Sequence, residues 1–539
     1  MKRISAIVCK MWESKWVTVV KYTLPLFLIL LCYTKKESES YLFIQLLELG
    51  LVIVISDIIR NKIIRRFVNT LFLLILNVQI AVMIFGTTYV TWVMLSNLSS
   101  LEDLTGHGRV YVFAFLMVII DLILPVNTIF NVLNENFKLK CLSGCLVAEL
   151  VLTMVLGAEF SPIYSIFLTA SDGVSVVSKA KEYANSSVDA SEFYTDSVID
   201  CISKPNYLPD NPNVILIFTE GLSQNIITDE RIITPNLREY ESKSINFTNY
   251  YNHTFATYKG LIGQLYSGYT WEDGNTNNLT SVQDIFKDQG YTTSFINTEP
   301  ENYQFTRYLE SFGFDSLISD ANGNQTGVLN SLTDKEAYDT LWDVVSEQAE
   351  SGEPFFTSIY TFGTHCSLDS PDEIYGDGSN PLLNKFYNMD YQFGKFMEKF
   401  EESELADNTI IVFTTDHCTY EDDDFISTFP DYYRESYECD IIPFFIYYKG
   451  MYPFERDAEG CTSIALAPTI LDFLDLSAPN YFLGSSVFSN VLAKGDFNTV
   501  FAESINMYET SNGIEELSDI ESDIIGGKLD RYYILSQQE

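Results

Sequence analysis

Apolar positions crowd the first third of the chain and thin out beyond about Thr169, where they become short runs among polar and acidic residues. Five apolar stretches, at about 17–33, 41–59, 67–95, 110–134 and 145–169, each approach the ~20 residues that an α-helix needs to cross a bilayer. They predict an α-helical membrane domain of five transmembrane helices over residues 1–170. The first stretch has no small-residue cleavage site and is followed by further spans, so a removed signal peptide is not expected. Residues 171–209, rich in Ser, Asp and Ala and closing on Pro205 and Pro209, read as a linker. Within it, Val174–Ala184 has an amphipathic spacing that suits either a membrane surface or a plain helical connector.

From residue 210 the period changes. Asn213–Thr219 and Thr409–Thr415 are continuous runs of β-branched and aromatic residues, the pattern of strands buried on both faces. Tyr291–Ile296, Pro354–Thr361 and Asp440–Tyr448 read as further strands. Ser281–Gln289, Ala465–Phe473 and Asn384–Phe400 read as helices; the last carries Phe386, Met389, Phe393, Phe396 and Met397 at helical spacing. Strands alternating with helices imply an α/β domain with a largely parallel central sheet over 210–495. Residues 496–539 form an acidic C-terminal segment whose role the pattern does not explain.

Two of the buried runs end in metal-binding residue types: Glu220 after the first, Asp416-His417 after the second. In open α/β sheets, sites form outside the carboxyl ends of the strands. Two carboxylates and an imidazole at one sheet edge are a donor set for a divalent cation.

Charge narrows the partners. The chain has 33 basic and 73 acidic residues, net −40. Basic residues slightly outnumber acidic ones up to residue 170, so the acid excess lies in the remainder. Such a surface excludes nucleic acid as a partner and repels bare anionic membrane. Beyond residue 170 there are Cys201, Cys366, Cys418, Cys439 and Cys461, an odd set without metal-ligand spacing and no disulfide framework. A bridge between Cys366 and Cys418 stays open. Positive charge flanks alternate ends of the apolar stretches: Lys2, Arg3, Lys10 and Lys15, then Arg60, Lys62, Arg65 and Arg66, then Lys138 and Lys140. The third-to-fourth loop instead carries Glu102 and Asp103, whereas Lys35 and Lys36 in the first loop run against the trend. The bias places the N-terminus in the cytoplasm and exports the large C-terminal domain. Asp121, a polar spot in an apolar stretch, suits packing against a neighbouring helix or a functional role. Asn252 lies in an N-x-S/T sequon, where a glycan would crowd the candidate site.

Further short motifs follow in a telling order. They are Thr234-Pro-Asn-Leu237, His253-Thr-Phe-Ala-Thr257-Tyr-Lys-Gly260, Phe312-Gly313-Phe314-Asp315, Gly363-Thr364-His365, Ile442-Pro443-Phe444 and Ala467-Pro-Thr-Ile-Leu471. Together with the two strand-end sites they resemble the alkaline phosphatase/sulfatase superfamily over about Asn213–Phe488. Within it they are most similar to the membrane-anchored, lipoteichoic-acid-synthase-like phosphoglycerol transferases. The resemblance implies that Glu220, Asp416 and His417 are metal ligands, with Thr257 as nucleophile and further ligand. It implies one divalent ion, manganese first, with magnesium or zinc as alternatives. Thr254, three residues earlier, stays open as the nucleophile. His365 would bind phosphate or protonate the leaving alkoxide, with Arg307 and Lys259 as further substrate-binding groups. His253 would support the ligands or merely occupy the loop. The implied reaction moves phosphoglycerol from a membrane phospholipid such as phosphatidylglycerol to an envelope glycan or glycolipid, through a phospho-threonine intermediate. A phosphoethanolamine transferase, a phosphodiester or sulfate ester hydrolase, and a non-catalytic envelope scaffold are the alternatives. The chain departs from sulfatases proper in lacking Cys/Ser-x-Pro-x-Arg. It also lacks the paired cysteines of lipid A phosphoethanolamine transferases, with Gly263 at that place. Ala465 and Cys418-Thr419-Tyr420 stand where relatives often carry Asp and Gly.

Overall fold

The computed structural model describes residues 14–85, 88–96, 108–130, 133–271, 277–319, 331–366, 368–489, 497–503 and 506–538. Lys2, Arg3, Lys10, Glu102 and Asp103, used above to orient the helices, lie outside the described residues. The chain divides into two compact units, Met1–Lys181 and Glu182–Glu539.

In the first unit, α1 (Lys15–Lys36), α2 (Glu39–Ile58), α3 (Lys62–Phe85) and α5 (Glu135–Leu156) are long and apolar enough to cross a membrane. The helix between them, α4 (Gly108–Ile123), has 16 residues. At 1.5 Å per residue it spans about 24 Å, short of a ~30 Å hydrocarbon core. So the described residues contain four such helices where hydropathy predicts five. The expected stretches differ because hydropathy does not register helix breakers. Pro125 disfavours helix at Leu124, which stops α4 well before 134. The last stretch, 145–169, is split. α5 ends at Leu156, Gly157 turns with φ of 120°, and Pro162 opens α6 (Pro162–Asn185), which occupies the first half of the expected linker.

Several buried polar groups in this unit bond to helix ends. Lys21 donates to the carbonyl of Asp121 at 2.7 Å and to Thr70 at 3.2 Å, closing the last turn of α4. The Asp121 carboxylate accepts from Asn77 at 2.6 Å, so this polar spot packs α4 against α3. At one end, Asp57 accepts from the amides of Ile129 and Phe130 and pairs with Lys138 at 2.5 Å. Arg66 donates to the carbonyl of Leu122, Arg60 to Glu135, and Thr18 to the carbonyl of Pro125. The starts of α1, α3 and α5 and the ends of α2 and α4 therefore share one basic end.

The second unit is built on an eight-stranded sheet of order β4-β3-β5-β1-β6-β7-β2-β8. Its strands are β1 (Asn213–Thr219), β2 (Ile245–Thr248), β3 (Thr292–Ile296), β4 (Ser316–Ile318), β5 (Phe355–Thr361), β6 (Thr409–Thr415), β7 (Phe444–Tyr447) and β8 (Phe454–Asp457). Every pairing from β4 to β6 is parallel; β7 alone runs antiparallel to both neighbours. All seven residues of each of β1, β5 and β6 are buried, as expected of strands covered on both faces by helices. The helices that frame the site are α7 (Thr257–Tyr266), α8 (Asp334–Ser351) and α9 (Pro381–Glu401). The acidic C-terminal segment is folded into this unit. It forms the antiparallel strands β9 (Val500–Glu503), β10 (Asn506–Glu509) and β11 (Glu515–Glu516), then α10 (Asp519–Ser536). Tyr532 and Leu529 of α10 join a buried cluster with Phe193 and Tyr269, and Arg531 pairs with Glu192 at 2.6 Å.

Candidate active site

The register of the central strands makes the site. Thr219 of β1 lies opposite Thr361 of β5 and Thr415 of β6, so all three chains leave the sheet at the same edge. Glu220 and Asp416-His417 thus emerge side by side, with one ligand atom from each lying within 4.8 Å of the others. His417 Nε2 stands 3.5 Å from Glu220 Oε1 and 3.4 Å from Asp416 Oδ2. His417 Nδ1 lies 2.7 Å from the carbonyl of Cys418 and donates to it, which leaves Nε2 with its lone pair toward the carboxylates. Asp416 Oδ1 accepts from the amides of Gly221 and His417 at 2.9 and 2.8 Å. Its Oδ2 is buried with no hydrogen-bond partner in this structure. An orphaned carboxylate oxygen facing an imidazole lone pair is what a cation-binding donor set looks like without its cation. Burial resists the charge on Glu220, yet His417, His365 and hydrogen bonds from Tyr360 and Thr257 hold its carboxyl below the usual range. Burial, then the Glu220 charge, push the Asp416 carboxyl up. The rise at Asp416 follows from placing two carboxylates in one dry spot, and the fall at Glu220 from the imidazoles and hydroxyls around it.

Thr257 opens α7, and its hydroxyl donates to Glu220 Oε2 at 3.1 Å. The residue before it, Ala256, has φ of 78°, a conformation that L-residues with a Cβ rarely adopt. Asn252 holds the approach to this turn: its buried amide donates to the carbonyls of Thr254 and Glu438, both at 2.7 Å. Thr254 turns the other way, donating to Glu503 at 2.6 Å. Lys259 pairs with the same Glu503 at 2.7 Å. Of the two candidate threonines, the structure therefore brings Thr257 to the carboxylate pair. A Cβ on Gly260 would stand 2.3 Å from the carbonyl oxygen of Asp416, so only glycine lets α7 approach the end of β6 this closely. His253 is fully buried beneath α7, its Nδ1 2.6 Å from Ser463, and burial pushes its pKa down to about 3. Gly263 leaves room for that ring: a Cβ there would lie 2.0 Å from His253 Nε2.

After β5, the Gly363-Thr364-His365 turn brings His365 to the cleft. Thr364 donates to the carbonyl of Glu220 at 2.5 Å, and the Gly363 amide donates to Asp334 at 3.2 Å. Burial opposes a charge on His365, but the Cys366 side chain and the carboxylates of Glu220 and Glu299 outweigh it, holding the pKa at about 10. The cleft, about 210 Å³, is lined by Glu220, Thr257, His365, His417 and Lys385, with Phe255, Cys366, Tyr420 and Asp422 among the other walls. Arg307 is exposed on the helix Tyr303–Glu310 and is not among the lining residues; Lys259 is not either. Cys366 and Cys418 are both free thiols, so the bridge between them does not form.

Two groups that touch the site residues escaped the sequence reading. Tyr360 donates its hydroxyl to Glu220 Oε2 from inside β5, where it looks like one more core aromatic. Lys385 is buried on α9 and donates to the carbonyl of His365 at 3.0 Å. It had a signal: a lysine beside Leu382, Phe386 and Met389 on the apolar face of its helix.

Residues 212–476 match the family described as Sulfatase. The chain is 23% identical over 357 residues to Phosphoglycerol transferase I of Xanthomonas euvesicatoria, covering 60% of this chain and 47% of that protein. It is 24% identical over 379 residues to Lipoteichoic acid synthase-like YvgJ of Bacillus subtilis, covering 63% of this chain and 59% of the relative. The chain thus spans about half the length of the curated relatives it matches. Among solved structures, lipooligosaccharide phosphoethanolamine transferase A, an integral membrane protein of Neisseria meningitidis, covers 86% of this chain with 96% of its own. The TM-score is 0.55 at 12% identity, a likeness of fold.

Proposed function

We propose, because residues 212–476 match the family described as Sulfatase, that this chain is a membrane-anchored phosphotransferase. It moves phosphoglycerol from a membrane phospholipid, phosphatidylglycerol first, to an envelope glycan or glycolipid. The observation that carries the reading is the Thr257 hydroxyl set 3.1 Å from Glu220 beside Asp416 and His417. Relatives named phosphoglycerol transferase and lipoteichoic-acid-synthase-like support the transferred group.

Glu220, Asp416 and His417, with the Thr257 hydroxyl, would hold a divalent metal; manganese is favoured, with magnesium or zinc as alternatives. Such an ion lowers the pKa of an adjacent hydroxyl and neutralises charge on phosphoryl oxygens. Thr257 Oγ attacks phosphorus, and its proton passes along the existing hydrogen bond toward Glu220. The phosphorus–oxygen bond to diacylglycerol breaks, and the protonated His365 gives its proton to the leaving alkoxide. An acceptor hydroxyl then attacks the phosphoglycerol-threonine and gives its proton to the now neutral His365, while the bond to Thr257 Oγ breaks and that oxygen takes back the proton held toward Glu220. The first α7 amides, at a helix N-terminus, suit a phosphoryl oxygen. The shared basic end of the membrane helices supports a cytoplasmic N-terminus with the catalytic unit outside. A second reading transfers phosphoethanolamine: Phe255 and Tyr420, with ring centroids 5.9 Å apart, and the Asp422 carboxylate suit a cationic headgroup at the cleft mouth.

The test incubates full-length protein with manganese and either phosphatidylglycerol or phosphatidylethanolamine and weighs the peptide containing Thr257. A phosphoglycerol increment that disappears in Thr257→Ala is expected. An ethanolamine increment replaces the donor. Diacylglycerol release that survives Thr257→Ala removes Thr257 from the mechanism.

A further inference from the structure

A phosphodiester donor brings a negative charge into a site already holding two carboxylates. Cationic side chains that could meet it are few. Lys259 is paired with Glu503 at 2.7 Å, and Arg307 lies exposed outside the cleft lining. Lys385 differs from both. It is 3% exposed, sits on the apolar face of α9, and lines the same cleft as Glu220, Thr257 and His365. An ammonium carries three N–H donors. Among the described residues, the hydrogen bond recorded for Lys385 is the one to the His365 carbonyl, 3.0 Å away. A buried ammonium is costly unless something compensates it. Here burial lowers the Lys385 pKa, and Cys366, Asp422, Glu220 and Asp424, acting through space, offset that only in part, while the remaining donors have an anion-sized cleft before them.

We propose that Lys385 is the phosphate-binding cation of this site, gripping a non-bridging phosphoryl oxygen of the donor while its bond to the His365 carbonyl fixes the acid beside the leaving group. The inference rests on the phosphoryl-transfer reading for its purpose. Its geometry also commits to something narrower: any phosphate entering the cleft meets the Lys385 ammonium.

Inorganic phosphate is therefore the probe, titrated calorimetrically into full-length, manganese-loaded protein in detergent. Lys385→Met should weaken phosphate binding about tenfold to a hundredfold, the range for hydrogen bonds to charged groups. Bound manganese, measured in the same samples, should be unchanged, and Lys385→Arg should restore part of the affinity. Lys395→Met, an exposed lysine of the same helix paired with Glu398, serves as the control and should leave binding unaltered. Lys385→Gln still reaches the His365 carbonyl as a neutral donor. It separates charge from positioning and stands in if the methionine variant folds poorly. Weakened binding in Lys385→Gln with metal retained supports the assignment. Equal affinity in Lys385→Gln and the parent overturns it, as does a parent that binds no phosphate. Failure of the phosphoglycerol reading looks different: no lipid turnover by the parent, with phosphate binding still dependent on Lys385.

Discussion

Asp334 shows how one side chain can couple the active-site turn to pH. It begins α8, is fully buried, and accepts from the Gly363 amide and the Asn388 side chain, both at 3.2 Å. Burial raises its pKa to about 7, with Asp372 adding to the rise and the two hydrogen bonds opposing it. The folded protein therefore keeps a proton that the unfolded chain releases near pH 4. Stability from this group is complete below the unfolded pKa and declines as pH rises through the folded value, by a total on the order of 4 kcal/mol. Asp334→Asn cannot titrate. The difference in melting temperature, variant minus parent, should grow between pH 4 and 7 and level off above pH 8. A constant offset across that range would remove Asp334 as the titrating group. At this scale legibility depended on position. Glu220 and Asp416-His417 stood out because they terminate apolar runs. Asp334, Tyr360 and Lys385 did not, because their importance arises only when α8, β5 and α9 are packed together.

The elements act through their ends. β1, β5 and β6 were legible because strands covered on both faces must be continuously apolar, and their parallel order follows from the helices between them. What the pattern could not supply was the distance from α7 to the end of β6, which sets Thr257 against Glu220. That distance depends on Gly260, whose missing Cβ would meet the Asp416 carbonyl at 2.3 Å. Backbone cannot give way like a flexible side chain, so Gly260→Ala must push α7 outward. The expected costs are about 1–3 kcal/mol of stability and at least tenfold in transfer rate, with bound metal less affected than rate. A denaturation curve and a turnover assay on the same preparation check both. Full activity in a destabilised variant would mean that Thr257 tolerates more displacement than the site geometry allows.

Across the whole molecule, hydropathy located the membrane helices but not their limits, since Pro125, Gly157 and Pro162 break helices without lowering apolarity. The number of crossings nonetheless decides where chemistry occurs. Four crossings from a cytoplasmic start would return the catalytic unit to the cytoplasm; five would export it. Polar contacts at the basic end bear on this. Arg66 at the start of α3 bonds the carbonyl at the end of α4, so α3 leaves that end and α4 comes back to it. Glu135 at the start of α5 bonds Arg60 at the same end, so α5 leaves again. We propose on these contacts that α4, despite its 16 helical residues, makes a return pass, which would make the number of crossings odd. If so, the exposed Cys201, in the catalytic unit, faces the outside. A membrane-impermeant maleimide should label it in intact cells and fail to do so in Cys201→Ser. Labelling only after the membrane is ruptured would put the catalytic unit inside. A lipid donor would then have to come from the inner leaflet, and the envelope acceptor would be out of reach.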